Sequence, residues 1–205
     1  MESLPTIISF YTKDSPYEWE AEGLINSCRS FSLECDIEGV PSAGSWELNC
    51  AYKPLFIMRM LQKHKKGVLW VDCDAVFERL PESIQAFRAD IAVRSHPECH
   101  TDHIAKINSG TFFANYTKEG IEIVKAWAEQ SLKELASPER KEEFWDQTTL
   151  RDVIKNFNKP AQIGLLPLEY LKIYDHPLHV AECVNPVIVH HQASRLYKNW
   201  MNAKH

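Results

Sequence analysis

No two cysteines in this chain are spaced Cys-x-x-Cys; the six, at 28, 35, 50, 73, 99 and 183, are scattered. That scatter argues against a disulfide framework and for reduced thiols in a cytosolic protein. Basic residues are not in excess either. The net charge is −5 and no basic stripe runs along the chain, which excludes a tracker of nucleic-acid phosphates. The one basic cluster, His64-Lys65-Lys66, suits the negative end of a helix dipole. No apolar run is long enough to span a bilayer. Met1 to Pro5 leads into an apolar strand with neither a charged leader nor a signal-peptide core, so a protein without a membrane anchor is expected. The glycines number only 7 in 205 residues and nowhere join serine in a linker, and neither repeat nor low-complexity tract is present. One domain over residues 1–205 is the expectation, with hydrophobic (44%) and charged (25%) fractions suited to a globular core.

What is present alternates between strand and helix. Thr6 to Thr12 reads as a first strand, followed by the turn formers Lys13-Asp14-Ser15-Pro16. From Tyr17 to Phe31, Ala21, Leu24, Ile25, Cys28 and Phe31 fall at helical spacing. A strand is read over Leu33 to Val40. Pro54 suits the first turn of the next helix, with Leu55, Met58 and Leu61 on its apolar face and Ile57 alongside. Gly67 then opens another strand. Further strands are expected at Asp90 to Arg94, Gly110 to Ala114, Tyr170 to Tyr174 and Pro186 to Val189. A helix from Lys118 to Leu135 carries Ile121, Val124, Ala128, Leu132 and Leu135, and another opens near Trp145-Asp146. This alternation implies an α/β fold with a mostly parallel central sheet and helices on both faces. Ligands on such sheets bind beyond the carboxyl ends of the strands, where Tyr11, Thr12, Asp72 and Asp74 emerge.

The most informative stretch is Val68-Leu69-Trp70-Val71-Asp72-Cys73-Asp74, a buried strand that delivers two carboxylates to its carboxyl end. Alternation along an extended chain points Asp72 and Asp74 to one side. Two carboxylates aimed at one point repel unless a cation sits between them, and hard divalent ions bridge such pairs to phosphate oxygens. An aspartate pair at a strand end is also ordinary turn chemistry, so the reading depends on its company.

That company is Lys53-Pro54, Asn108-Ser109-Gly110, Phe144-Trp145-Asp146-Gln147 and Val187 through Arg195. With Asp72 and Asp74 these segments make the chain resemble a nucleotide-diphospho-sugar glycosyltransferase of the GT-A (Rossmann-like) fold, most closely the metal-dependent glycogenin-like and related retaining families. The resemblance implies Mn²⁺ or Mg²⁺ held by Asp72 and Asp74 on the donor diphosphate, with His190 or His191 completing the shell. An imidazole ligand favours Mn²⁺. It also implies that Asp146 and Gln147 act at the donor sugar, that Asn108, Ser109 and Gly110 form a close turn beside it, and that Lys53 contacts donor phosphate or sugar. Tyr11 and Thr12 would meet the nucleoside. The family's Gly-x-x-Lys-Pro-Trp-like loop is replaced here by Ala193-Ser194-Arg195-Leu196-Tyr197-Lys198, in which Arg195 or Lys198 is the cation available to the diphosphate.

The activity so implied is metal-dependent transfer, hexosyl transfer in the first instance, from a nucleotide sugar such as a UDP-sugar to a hydroxyl on a protein, glycan or lipid head group. If the outcome is inversion, Asp146 is the candidate base. A sugar-phosphate nucleotidyltransferase shares a related sheet but needs a glycine-rich loop after the first strand, and residues 12–16 contain no glycine. A silent nucleotide-sugar-binding scaffold is the other alternative. His96, Cys99, His100 and His103 are zinc-ligand types without a second separated couple, and their segment reads as a polar loop over the cleft.

Overall fold

The computed structural model describes residues 4–86, 88–95, 106–139 and 143–203. The segment from His96 to His103 lies outside them. The central sheet has six strands in the order β2-β1-β3-β6-β5-β7: β1 (Thr6–Thr12), β2 (Cys35–Val40), β3 (Val68–Val71), β5 (Ile91–Ser95), β6 (Ile107–Ala114) and β7 (Ile163–Leu165). Pairings β1·β2, β1·β3 and β5·β7 are parallel, whereas β6 runs antiparallel to both β3 and β5. The mostly parallel sheet expected from the sequence therefore holds, with β6 as its one reversed member. A second sheet of three short strands, β4 (Ala75–Phe77), β9 (Ile188–His190) and β8 (Lys172–Ile173), is ordered β4-β9-β8.

Side-chain alternation divides the core between the two faces of the main sheet. Ile8, Val68 and Trp70 join Phe56, Met60 and Trp127 of helices α2 (Trp46–His64) and α3 (Lys118–Leu135), with Leu150 of α4 (Asp146–Asn156). Ile7, Leu69 and Val71 join Leu24 and Cys28 of α1 (Tyr17–Ser30), and Phe77 and Ile188 of the small sheet, on the other. Neighbouring residues of one strand thus serve opposite cores, as period-2 geometry requires. Helices α5 (Pro177–Glu182) and α6 (Ser194–Ala203) close the chain.

The structure corrects four readings. Pro54 does not open α2; the helix starts at Trp46, where Ser45 caps it by accepting the Leu48 N–H at 3.2 Å, and Pro54 is buried inside it. Its buried face is accordingly Ala51, Lys53, Phe56, Ile57, Met60 and Leu61, with Leu55 and Met58 at the margin. Proline lacks only its own N–H and opposes the Cys50 carbonyl, a loss that tertiary packing offsets here. In α3 the bounds are as expected, but the buried side is Ile123, Val124, Trp127 and Ala128, while Leu132 is half exposed. Of the strand expected over Tyr170 to Tyr174, Tyr170 instead ends a 3-10 turn (Leu168–Tyr170), and only Lys172–Ile173 is extended, as β8. Finally, β3 ends at Val71, so Asp72 and Asp74 are not on an extended strand. They flank a tight turn in which the Ala75 N–H bonds the Asp72 carbonyl at 3.0 Å.

Candidate active site

The turn after β3 is pinned from both sides. The Asp72 N–H donates to the Gly110 carbonyl at 2.8 Å, and Trp70 Nε1–H reaches Asp72 Oδ1 at 2.9 Å. Trp70 precedes Asp72 by two residues, so strand alternation makes it the neighbour on that side. Asp74 Oδ2 accepts the Ala193 N–H at 2.7 Å and its carbonyl accepts the His191 N–H at 3.0 Å. Those bonds anchor the end of β9, whose His190 pairs in register with Ala75. The histidine arrives beside the aspartates because the small sheet zips β9 onto the strand that follows Asp74.

Ligand atoms of Asp72, Asp74 and His190 all lie within 4.8 Å of one another. Burial, followed by the Lys53 charge, pushes the His190 imidazole down to about 3, so the ring is neutral. Its Nε2 lies 2.9 Å from Thr111 Oγ1, and that hydroxyl donates its only proton to the Tyr170 carbonyl at 2.7 Å. Nε2 must therefore carry the ring proton and donate to Thr111, which leaves Nδ1 with an open lone pair. Loss of hydration and then the adjacent Asp72 push the Asp74 carboxyl up to about 7, against the Ala193 bond that lowers it. A neutral imidazole beside two crowded carboxylates is a donor set that fits a divalent cation, which would relieve their repulsion.

Lys53 is the sequence-derived site residue whose surroundings differ most from expectation. Instead of standing just before a helix that Pro54 opens, it is a buried residue inside α2, 7% exposed. Its Nζ lies 3.0 Å from Asp72 Oδ1, 2.8 Å from Asp146 Oδ2 and 3.3 Å from Ser109 Oγ. Burial favours the neutral amine, but the Asp146 and Asp72 carboxylates outweigh it and hold the pKa well above the usual lysine range. Ser109 Oγ also donates to Asp146 Oδ2 at 2.8 Å, and Trp127 Nε1–H fixes the Asp146 carbonyl at 2.9 Å. Three distant segments, α2, β6 and the start of α4, are thereby tied to the turn after β3.

Lys53, Asp72, Asp74, Ser109 and Asp146 line an open cleft together with Tyr11, Thr12, Asn108, Gly110 and Gln147, and buried His190 stands against its aspartates. The sequence reading missed Tyr17, Asn49, Gln192 and Ser194, which line the same cleft, and Thr111, which orients His190. Only Trp70 carried a usable signal, its spacing of two from Asp72. Thr12 Oγ1 is engaged with Ser15 Oγ at 2.9 Å. Asn108 Oδ1 accepts the Gly110 N–H at 2.7 Å, closing the turn before the inner part of β6. His191 is exposed, its ring beside Tyr174, and is not in the cluster. Arg195 pairs with Asp175, and Lys198 pairs with Glu143. Neither of those cations lines the cleft.

At Gly110 a β-carbon would sit 3.1 Å from His190 Cε1 and 3.2 Å from Asp72 Oδ2. Gly110→Ala is expected to spread the cluster by a few tenths of an ångström and to weaken Mn²⁺ binding by roughly tenfold, an effect of the size seen for residues that orient metal ligands. Mn²⁺ titration followed by thermal unfolding reads this directly; unchanged affinity would show that the three groups do not act together.

Residues 52–200 match the family model described as nucleotide-diphospho-sugar transferase. The chain belongs to that family. A search of curated proteins gives no match. Among solved structures, this transferase is similar to a glycosyltransferase involved in glycosylation of the major capsid of PBCV-1, with a TM-score of 0.66, 16% identity and 98% of each chain covered. It is similar also to the glycosyltransferase GlyE of Streptococcus pneumoniae TIGR4, with a TM-score of 0.59, 14% identity, and 91% of this chain but 55% of that one covered. Mouse xyloside xylosyltransferase 1 gives a TM-score of 0.54 at 12% identity, over 93% of this chain and 98% of that one. These likenesses establish the GT-A glycosyltransferase fold. No helix among the described residues is long and apolar enough to cross a membrane.

Proposed function

We propose that the whole chain, residues 1–205, is one transferase domain that moves a sugar, in the first instance a hexosyl group, from a UDP-sugar to an acceptor hydroxyl with retention of configuration. The observation that carries this reading is the convergence of His190 on Asp72 and Asp74, two aspartates that line the cleft together with the Lys53–Asp146 pair. In the step proposed, the bond from the anomeric carbon to the terminal phosphate oxygen breaks and its electron pair leaves with the nucleoside diphosphate. A bond from the acceptor oxygen forms, and the acceptor proton ends on the departing phosphate. A divalent cation held by Asp72, Asp74 and His190, Mn²⁺ in preference to Mg²⁺, would offset the charge that gathers on the diphosphate.

The chain's own groups do the rest. Tyr11 and Thr12 stand at the end of β1 for the nucleoside, and Asn108 to Gly110 let the donor approach the backbone closely. Gln147 offers hydrogen bonds to sugar hydroxyls. Asp146 is held between Lys53 Nζ and Ser109 Oγ, both at 2.8 Å, as a fixed anion beside the anomeric centre. A carboxylate so engaged is poorly placed to take a proton, which favours the retaining route over one that needs a base. Lys53 is the fixed cation of the site, in place of Arg195 or Lys198. A reducing, cytosolic setting accords with the free thiols of Cys28, Cys35, Cys50, Cys73 and Cys183.

Incubation with Mn²⁺ and each common nucleotide sugar, with released nucleotide as the readout, tests this reading. UDP release from at least one donor, abolished by EDTA, is expected, and proton NMR of the product should show the donor's anomeric configuration. Turnover only in the presence of pyrophosphate would indicate a nucleotidyltransferase instead. Binding without any turnover would indicate a silent scaffold.

A further inference from the structure

The sheet order places β3, which carries the aspartate turn, between β1 and β6. Tyr11 and Thr12 lie at the β1 side of that turn. On the β6 side, Ser109 bonds Asp146, and the residue immediately before Asp146 is Trp145. Trp145 lines the cleft yet is 41% exposed. It is held firmly for an exposed residue. Trp46 packs edge-on against it with centroids 5.1 Å apart, and Lys198 Nζ stands 5.1 Å from the Trp145 ring centre and 4.4 Å from that of Trp46. The Phe144 N–H donates to Glu47 Oε1 at 2.7 Å and the Trp46 N–H to Asn202 Oδ1 at 3.0 Å, so α2, the segment before α4, and α6 are locked together around the indole pair.

A single exposed tryptophan is ordinary on a protein surface. Two further facts distinguish this one. The Lys198 charge over the shelf is matched by Glu143, so no uncompensated cation selects an anionic ligand there. Gln192, which no donor contact uses, lines the same cleft, and its side-chain amide bonds nothing among the described residues. A flat aromatic surface beside an unengaged amide, with the neighbouring lysine charge balanced, matches the two faces of a neutral sugar ring, whose C–H face stacks and whose hydroxyls hydrogen-bond.

We propose that Trp145, buttressed by Trp46 and Lys198, is the platform for the acceptor, and that the acceptor is the sugar ring of an uncharged glycan. This rests on the transferase reading above. The test is a panel of methyl glycosides offered as acceptors and, separately, as ligands whose binding is followed by tryptophan fluorescence. With the sugar stack lost, Trp145→Ala is expected to raise the KM of the preferred glycoside roughly tenfold, well beyond any change in donor KM. Trp145→Phe should fall between the two, and the fluorescence response to the glycoside should be lost in both variants. An unchanged acceptor KM in Trp145→Ala overturns the proposal. So does a donor KM that rises as much as the acceptor's, since the indole would then serve the nucleotide, and so does a protein that glycosylates a peptide or a lipid head group but no glycoside. Glycoside binding through Trp145 in a parent protein that turns over no donor would sustain the platform while sinking the transferase reading.

Discussion

Asp74→Asn is expected to remove metal-dependent turnover almost completely, by about 10³-fold or more, while the protein still folds. One carboxylate oxygen of Asp74 is already engaged by the fold. Oδ2 accepts the Ala193 N–H at 2.7 Å, an interaction that an asparagine oxygen can preserve. What asparagine cannot preserve is the negative charge, and that charge is the less comfortable part of the metal-free site, since burial and Asp72 drive the Asp74 carboxyl up to about 7. Folding should therefore lose little, while the cluster retains one carboxylate and one neutral imidazole for a dication. A missing anionic ligand removes several kcal/mol of leaving-group stabilisation, and about 4 kcal/mol corresponds to 10³ in rate. The decisive comparison is the Mn²⁺-induced rise in melting temperature, present in the parent and absent from the variant, with the metal-free melting temperatures close together. Asp74→Ala should show the same loss of metal response plus a destabilisation of about 1–3 kcal/mol from the stranded Ala193 N–H. A variant that still turns over donor in a Mn²⁺-dependent way would remove the carboxylate cluster from the mechanism.

The parts of this architecture that were legible in the sequence are those fixed by local rules. Val68–Val71 is an uninterrupted apolar run after a glycine, and a strand buried on both faces leaves that mark. Helix α3 is bounded by Thr117, whose hydroxyl accepts the Gly120 N–H, and by the Ser137-Pro138 stop. Its buried face was misjudged because Ile121, Val124, Ala128 and Leu132 fit the helical period as well as Ile123, Val124, Trp127 and Ala128 do. Only the position of the sheet decides between them. Of the small sheet, two strands were legible, since those expected at Tyr170 to Tyr174 and Pro186 to Val189 overlap β8 and β9, but segments of two or three residues are too short to show which strands pair. That blindness matters for the site, because the β4·β9 register is what sets His190 beside Asp74 and separates its role from that of exposed His191. Thr111 was unreadable for the same reason: a threonine in a strand says nothing of a histidine 79 residues away.

Lys53→Met tests the other half of the site, and its expected signature is a loss of both stability and rate without a loss of metal. Lys53 is the kind of residue that sequence rules place in solvent, and its burial is tolerated only because Asp72 and Asp146 arrive from elsewhere to neutralise it. Methionine fills similar volume but leaves Asp146, 5% exposed, with an uncompensated charge. Breaking a buried pair in this way costs about 3–5 kcal/mol, which for a chain of this size lowers the melting temperature by on the order of 10 °C. Asp146→Asn in the same background should recover much of that loss, because the orphaned charge goes with it, and the pair analysed as a double-mutant cycle gives the coupling. Turnover should not recover with stability: removing a fixed cation and a fixed anion from the reacting centre costs roughly 10²–10³ in rate. Mn²⁺ affinity should move the opposite way, because a dication at Asp72 no longer faces the Lys53 ammonium at 3.0 Å from the same carboxylate. Tighter Mn²⁺ binding with slower turnover would separate the charge pair's part in sugar transfer from the metal's. Weaker Mn²⁺ binding in Lys53→Met would mean that the lysine holds the metal carboxylate in place, and that its contribution to rate passes through the cation after all.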